Sequence, residues 1–249
     1  MRSTMILAAL VAILTLTTAP AMAYVINDAP ADEESLQEIF NRIGATSVDV
    51  STDALSDDLD SYWTIGSTGQ SAATMIVEWT NWDTQQSFGV YDRANPLNQV
   101  TIFAGAATPG FIVGQAVLGM SSSGLMSLNN ALVLDEFDNP VVFGSDAFGF
   151  FLTNPGGAVW YSDSELNNGM DHMLAFQGNG LDTISIADVK SGTWLTTEYV
   201  LAFEDYTDFD YQDFVVMVES VVPVPVPGAV LLGVLGLGAA GMRLRKRQS

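Results

Sequence analysis

The chain has 249 residues, no cysteine and a single histidine, and its 29 acidic residues far outnumber its eight basic ones. Disulfides, iron–sulfur clusters and zinc or copper centres built on thiolates or several histidines are therefore excluded. Only three basic residues lie in the body of the chain, residues 24–222, against all 29 acidic residues, so the body has a net charge of −26. Such a surface attracts cations and repels polyanions, which excludes nucleic acid as a partner.

Residues 1–23 have the three parts of a secretory signal peptide. A positive charge at Arg2 precedes an apolar run over residues 5–16, and Ala-Met-Ala at residues 21–23 forms a small-x-small cleavage site. The sequence therefore predicts export, with cleavage before Tyr24. The alternative is that the apolar run forms a buried N-terminal helix.

The body begins with one predicted helix. Ser35 and Glu38 form a capping box, apolar residues follow at helical spacing, and Gly44 provides a stop. The apolar residues are Leu36, Ile39, Phe40 and Ile43. The sequence predicts a helix over residues 36–43 and, after it, an acidic, Ser- and Thr-rich surface loop over residues 47–69.

From residue 73 onward the hydrophobic period is two. Short runs rich in Val, Ile, Phe, Tyr and Trp alternate with Gly, Asn, Asp or Pro, as in β-strands joined by turns. Strands are predicted over residues 73–79, 87–91, 99–103, 131–134, 147–152, 158–161, 172–176, 182–186, 198–203 and 214–218. The pattern predicts one all-β domain over residues 24–222, a β-sandwich or jelly roll with one short N-terminal helix.

The segment between the last two predicted strands is the most acidic part of the chain. It holds five carboxylates within ten residues: Glu204, Asp205, Asp208, Asp210 and Asp213. So many like charges are costly on one loop unless a cation or water screens them. Alternating aromatic residues predict that the loop packs on the domain, where carboxylates need partners. Oxygen ligands select Ca²⁺ or Mg²⁺, so we predict a calcium loop; the alternative is a solvated acidic turn.

A second polar turn is predicted at residues 160–172. Its candidate oxygen ligands are Asp163, Asn167, Asn168 and Asp171. The next residue, His172, is expected to be a packed structural residue that can hydrogen-bond a carboxylate of the neighbouring acidic loop.

Two other functions are considered from the residues. Tryptophans could provide stacking platforms for a carbohydrate-binding module, although most of them are expected in the core: Trp63, Trp79, Trp82, Trp160 and Trp194. Paired carboxylates could serve a glycoside hydrolase, but such pairs arise readily in a chain this acidic. The sequence contains no nucleophile elbow, zinc-protease motif, P-loop or dinucleotide fingerprint, so we predict that the protein is not an enzyme.

The C-terminus, residues 223–249, combines a proline spacer, an apolar segment and a basic cluster. Residues 228–242 carry no charge and are followed by Arg243, Arg245, Lys246 and Arg247. As a helix this apolar segment would reach about 22 Å, short of the roughly 30 Å hydrocarbon core. It is predicted to be a sorting signal that meets the membrane, with the basic cluster on the cytoplasmic side.

Two stretches of the body resemble a known family. Trp160-Tyr-Ser-Asp … Gly-Met-Asp-His172 and Leu201-Ala-Phe-Glu-Asp … Asp-Phe-Asp-Tyr-Gln-Asp213 resemble the bacterial extracellular domain of unknown function 4114 over roughly residues 88–219. The resemblance implies a secreted, β-rich domain of surface or adhesive proteins. The acidic positions of the family motif correspond to Glu204, Asp205, Asp208, Asp210 and Asp213, while Gln212 replaces the usual Asn.

The tail is similar to the PEP-CTERM sorting signal. Its prolines lie in Val224-Pro225-Val226-Pro227, with no Glu between them. The resemblance implies sorting by an exosortase in a Gram-negative-type envelope, and association with extracellular polysaccharide or a biofilm matrix. The sequence as a whole therefore predicts an exported, non-enzymatic cell-surface or matrix protein with a calcium-stabilised β domain. The alternative is a carbohydrate-binding module attached to exopolysaccharide.

Overall fold

A computed structural model describes residues 24–31, 33–67, 69–78, 86–104, 115–154, 156–186 and 190–225. The predicted signal peptide, the apolar tail with its basic cluster, Trp79 and Trp82 lie outside these residues. Within these ranges, no helix is long and apolar enough to cross a bilayer.

The predicted early helix is present as α1, Leu36–Ile43. The Ser35 side chain accepts from the Glu38 N–H, and the Glu38 carboxylate accepts from the Ser35 N–H at 2.9 Å, so the capping box is formed. Gly44 ends the helix in the left-handed conformation with φ 95°. All four apolar residues of the helix are buried, and full burial of a side chain such as Phe40 is worth about 1.5–3 kcal/mol.

The remaining elements are a second short helix and fifteen strands in the described part of the chain. They are, in chain order, α2 Asp57–Asp60, β1 Trp63–Ile65, β2 Gln70–Glu78, β3 Ser87–Asp92, β4 Asn95–Ala104, β5 Gln115–Met120, β6 Met126–Leu128, β7 Ala131–Leu132, β8 Phe148–Thr153, β9 Val159–Tyr161, β10 Met173–Gln177, β11 Thr183–Ile186, β12 Lys190–Thr193, β13 Glu198–Phe203, β14 Phe214–Glu219 and β15 Val221–Pro223. A single 3₁₀ turn, Ser164–Asn167, follows β9. The prediction of a mostly β fold with one early helix is confirmed.

The strands form two main sheets in which every pair is antiparallel. One has the order β15-β1-β8-β3-β4, with β9 also paired to β8. The other has the order β10-β13-β14-β2-β5-β6-β7. A separate hairpin pairs β11 with β12. The first strand, β1, pairs with the last described strand, β15, at one edge of the first sheet.

The two sheets face each other across one apolar core. Phe88, Phe150 and Trp63 from one sheet lie in the same cluster as Phe203 and Phe214 from the other. The Phe88 ring stacks on Phe214 at 5.1 Å between centroids and meets Phe203 edge-on at 5.8 Å. The aromatic contacts therefore bind the end of β13 and the start of β14 to the opposite sheet.

The seven-stranded sheet is covered on its other face as well. Helix α1 and the β11–β12 hairpin pack there, with Phe40 against Phe176 at 4.7 Å and against Trp194 at 6.2 Å. Strands β10, β13 and β14 are thus buried on both faces. This explains why they read as nearly continuous apolar runs rather than as alternating ones.

The prediction of a surface loop over residues 47–69 is wrong. This stretch contains α2 and β1, and Trp63 and Asp60 are fully buried. Trp63 packs edge-on against Tyr199 at 4.8 Å, and its indole N–H donates to the Asp60 carbonyl at 2.8 Å. Polar composition misled the prediction because one large aromatic anchor outweighs the Ser and Asp residues around it.

The last strand extends the domain beyond the boundary expected at residue 222. Strand β15 pairs with β1 through Pro223, and the Val224 N–H donates to the Tyr62 carbonyl at 2.7 Å. The expected proline spacer therefore begins as an edge strand, a position where proline is tolerated. Strands β1, β5, β6, β12 and β15 were not predicted from the sequence.

Candidate metal centre

The acidic segment is the hairpin loop that joins β13 to β14. Phe203 and Phe214 form the last pair of this ladder, and residues 204–213 make the turn between them. Because both strands are buried on both faces, the two ends of the loop are fixed by the core. The carboxylates are therefore presented from a rigid base.

Four of the five predicted ligands come together. Glu204, Asp208, Asp210 and Asp213 each offer one carboxylate oxygen, and these oxygens lie within 4.8 Å of one another. Three of the side chains are buried and Asp208 is exposed, so the cluster has one open side. Asp210 is only 2% exposed, and its Oδ1 atom is buried without a hydrogen-bond partner. This set of oxygens could hold a metal ion.

Backbone N–H groups of the loop fix the direction of the carboxylates. The Tyr206 and Asp210 N–H groups donate to the two oxygens of Glu204 at 2.9 and 3.1 Å. The Asp205 N–H donates to Asp213 Oδ2 at 2.9 Å. The loop thus turns around its own carboxylates, an arrangement that orients them before any ligand arrives.

Among the described residues, no basic side chain forms an ion pair with the carboxylates of the cluster. Burial, followed by Asp208, raises the pKa of Glu204, and burial, followed by Asp205 and Glu204, raises that of Asp213. Burial likewise raises the pKa of Asp210. A divalent cation would supply the missing charge and favour the ionised forms.

The three basic side chains of the body are engaged at other places. Arg42 pairs with Glu34 at 2.9 Å. Lys190 pairs with Glu198 and Glu219 at 2.6 and 3.1 Å, and the Arg93 guanidinium lies 4.4 Å from the centre of the Tyr62 ring. Within the described residues, therefore, no basic side chain supplies the counter-charge of the cluster.

Asp205 has a different role from the other four. Its Oδ2 accepts from Gln86 Nε2 at 2.6 Å, and its backbone carbonyl accepts from Trp160 Nε1 at 2.7 Å and Asn154 Nδ2 at 3.2 Å. The residue connects the loop to the opposite sheet through β9 and its neighbours. The structure does not bring it into the four-carboxylate set.

The loop packs on the domain, as its aromatic residues predicted. Phe209 and Tyr211 contribute to the apolar cluster under α1, and both adopt positive φ, 56° and 57°, which is rare for bulky residues. The N-terminal segment fastens the loop, because the Asn27 N–H donates to the Phe209 carbonyl at 2.9 Å and Asn27 Nδ2 donates to the Asp208 carbonyl. Tyr206, by contrast, is 66% exposed, and Phe214 belongs to the core between the two sheets.

Gln212 links the cluster to the start of the body. Its Nε2 donates to Asp210 Oδ2 at 3.3 Å and to Glu33 Oε2. Together with Gln86 and Asn27, Glu33 was missed from the sequence. All three lie more than 100 residues from the loop, and no local signal marks such partners.

The second predicted turn is a structural one. Asp163 accepts from the Glu165 N–H and the Tyr62 hydroxyl, and Asn167 bonds the Tyr161 backbone in both directions. Asn168 ends the 3₁₀ turn in the left-handed conformation. These side chains serve the turn itself, and in the described chain the carboxylates here are not part of a metal-holding group.

The histidine is a packed structural residue, but its partner differs from the expected carboxylate. His172 Nδ1 lies 3.1 Å from the Glu204 backbone carbonyl, and the ring stacks on Trp160 at 3.8 Å. Burial lowers the pKa of His172 and favours the neutral ring. The Glu204 N–H in turn donates to the His172 carbonyl at 3.0 Å, so His172 fixes the first residue of the loop.

Comparison of the chain with protein-family models, curated proteins and solved structures gave no match. The interpretation of the loop therefore depends on its geometry. Four converging carboxylates, one unpartnered buried oxygen and one open side are the features that any function of this loop must use.

Proposed function

We propose that the chain is an exported, non-enzymatic protein of the cell surface or extracellular matrix whose β domain is stabilised by Ca²⁺. The observation that carries this proposal is the group of four carboxylate oxygens within 4.8 Å, together with the buried Oδ1 of Asp210, which has no hydrogen-bond partner. A cation in their midst would offset both the desolvation and the mutual repulsion of the buried acids.

Calcium suits the donor set better than magnesium. Ca²⁺ accepts six to eight oxygens in irregular geometry, whereas Mg²⁺ requires a near-ideal octahedron and retains several waters. The loop offers four carboxylates from an irregular turn, and the exposed side at Asp208 leaves room for waters to complete the shell. A flexible, carboxylate-rich site of this kind favours the larger ion.

The two ends of the chain support export and sorting. Residues 1–23 have the features of a signal peptide, and the tail resembles an exosortase signal whose short apolar helix would meet the membrane. The family resemblance and the two facing antiparallel sheets both agree with a β-sandwich of the jelly-roll type. The charge of the body supports an extracellular setting with cations and without nucleic acid as a partner.

A carbohydrate-binding module attached to exopolysaccharide remains the alternative, although the tryptophans give it little support. Trp63 and Trp194 are fully buried. Trp160 has one ring face covered by His172 at 3.8 Å, and its N–H is bound to the Asp205 carbonyl. Three of the five tryptophans considered as stacking platforms therefore make packing contacts within the domain.

Thermal unfolding tests the calcium proposal. We expect the melting temperature to rise saturably in Ca²⁺, less in Mg²⁺, and hardly at all in NaCl of matched ionic strength. A ligand at a hundredfold excess over its Kd stabilises the folded state by about 2.7 kcal/mol. Asp210→Asn and Asp208→Asn should abolish the gain, since each removes an oxygen charge from the site.

Asp138→Asn is the matched control. Asp138 is exposed in a distant turn at φ 62°, a conformation that Asn tolerates, so the change removes one charge and leaves the fold intact. This variant should retain the full calcium gain. Equal melting temperatures in Ca²⁺ and matched NaCl would leave only a solvated acidic turn, and a gain that survives both loop substitutions would place the ion elsewhere.

A further inference from the structure

Two adjoining cavities lie beside the acidic loop, on the side away from the clustered carboxylates. The first, of about 290 Å³, is lined by Tyr24, Met170, Asp171, Phe209 and Tyr211 among others. The second, of about 160 Å³, is lined by Tyr24, Asp57, Ser164 and Asp171 among others. Tyr24 and Asp171 line both cavities, and the two cavities together are named here the N-terminal groove.

One wall of the N-terminal groove is aromatic. The rings of Phe209 and Tyr211 lie 6.2 Å apart and are tilted by 48°. Tyr24 also lines the first cavity and is held in place, because its hydroxyl donates to the Val50 carbonyl at 2.9 Å and accepts from the Ala54 N–H at 2.8 Å. Since the hydroxyl is bound to the backbone of Val50 and Ala54, the ring is the part of Tyr24 that we expect to border the cavity. The faces of such rings are negative and attract cations.

The other wall is acidic. Asp171 accepts from the Met173 N–H at 3.1 Å, and Asp57 accepts from the Ser164 hydroxyl at 2.7 Å. Asp60 lies behind them, fully buried, and neither of its carboxylate oxygens has a hydrogen-bond partner. Burial comes first among the causes that raise the pKa of all three carboxyls, and repulsion from neighbouring carboxylates adds to it.

We propose that the N-terminal groove binds an ammonium group, held between the aromatic faces of Tyr24 and Phe209 and the carboxylate of Asp171. A metal ion is the poorer occupant, since the carboxylates at this wall do not converge into a ligand set in the described structure. An ammonium group needs no such convergence. It donates separate hydrogen bonds of about 2.8 Å and presents its remaining surface to the rings.

The ammonium group has two possible sources. One is a soluble alkylamine. The other is the α-amino group of Tyr24 itself, which exists only if the signal peptide is cleaved before this residue; this source alone rests on the proposed export. In the second case the processed terminus would fill the groove and neutralise the acidic wall.

Titration with propylammonium tests the site in protein saturated with Ca²⁺, so that the metal centre does not compete. In the unaltered protein, or in the extended variant described below if the chain's own terminus fills the groove, we expect saturable binding by calorimetry and no binding of 1-propanol. In that same protein, Asp171→Asn or Asp57→Asn should lower the affinity at least tenfold. Both substitutions retain the oxygen that accepts a hydrogen bond, and Asp138→Asn should bind as the unaltered protein does. Equal responses to propanol, or affinity unaffected by both groove substitutions in folded protein, would overturn the proposal.

A variant with Ala-Ser inserted between Ala23 and Tyr24 separates the two sources, since two residues move the terminus by up to about 7 Å. If the chain's own terminus fills the groove, only the extended protein should bind propylammonium, and it should melt lower. If a soluble amine is the ligand, both proteins should bind alike. If neither protein binds propylammonium, the proposal of an ammonium site is wrong. The N-terminal mass shows separately whether cleavage occurred, so a failure of export is not mistaken for a failure of the groove.

Discussion

At the scale of single residues, the molecule is distinguished by acidic side chains that are buried without basic partners. Asp60 and Asp210 both have carboxylate oxygens that accept no hydrogen bond, and Asp60 is fully buried. Burial of an ionised carboxylate is costly, so such groups either bind protons or require a cation. The proposed calcium site and the proposed ammonium site would each supply such a cation.

The pH dependence of stability should reveal the acidic wall of the groove. Burial and Asp57 raise the pKa of Asp171 to about 7, while Asp60 and Tyr211 also face it. Because the folded pKa exceeds the unfolded one, the protonated form stabilises the fold fully below about pH 4, and this contribution is lost as the pH rises to 7. Because the Asn side chain does not titrate, we expect Asp171→Asn to remove this loss of stability between pH 4 and 7.

The measurement is urea unfolding at several pH values, in saturating Ca²⁺ and without added amine. The free energy of unfolding of Asp171→Asn is compared with that of the unaltered protein. From pH 4.5 to 7, the difference in favour of the variant should increase by at most about 1.4 kcal/mol per pH unit. The distant Asp138→Asn should show a constant difference over the same range. A constant difference for Asp171→Asn as well would mean that this carboxyl is ionised throughout.

Sequence reasoning found the metal-centre residues because they are contiguous. Five acids within ten residues form a local signal, and four of them converge in the structure. It did not find Gln86 or Asn27, because contacts between distant segments depend on the strand order. It also treated Asp205 as equivalent to its neighbours, whereas the hydrogen bond from Gln86 directs its carboxylate elsewhere.

At the scale of elements, agreement with the sequence depended on how much apolar surface each element buries. Helix α1 and strands β13 and β14 carry strong periodic or continuous apolar patterns and were predicted within a residue or two. Strand β12, Lys-Ser-Gly-Thr, has no apolar residue and is held by pairing with β11. Strand β15 was hidden by the proline-rich composition of the tail. Weak strands of this kind are specified by their partners rather than by themselves.

The junction between α1 and the β11–β12 hairpin yields a prediction about element packing. Gly44 has φ 95°, and a Cβ atom there would lie 2.4 Å from the Thr183 carbonyl oxygen. Gly157 has φ 81° and nothing within 4 Å of its Cβ position. Alanine at either site bears the left-handed strain of about 1–2 kcal/mol, but only Gly44→Ala must also separate the hairpin from the helix.

We therefore expect Gly44→Ala to destabilise the domain by about 3 kcal/mol and Gly157→Ala by about 1 kcal/mol, measured by urea unfolding. The pair is matched in residue type and backbone conformation, so the difference isolates the contact with Thr183. Equal losses for the two variants would show that the hairpin moves away from the helix freely.

At the scale of the whole molecule, the acidic charge of the body agrees with the proposed export. A body with net charge −26 has a large self-repulsion, and its three bases are already engaged in local pairs. Extracellular fluids supply divalent cations and salt, which reduce this repulsion. Screening acts on the whole surface without saturating, whereas the loop should respond saturably to Ca²⁺. The shape of the stabilisation curve therefore separates a whole-molecule effect from a local site.

The basic residues at the C-terminus provide the test of sorting. Replacing Arg243, Arg245, Lys246 and Arg247 by Gln removes the charge that would hold the end of the tail on the cytoplasmic side. We expect the protein to leak into the medium or to change its processed size, as seen by blotting cell and medium fractions and by mass spectrometry. Replacing the three arginines by Lys keeps the charge and should preserve retention, since a charge effect does not need the guanidinium. If retention and processed size are unaltered in the Gln variant, the tail does not act as a sorting signal, and any association of this protein with the cell surface would have to come from the β domain itself.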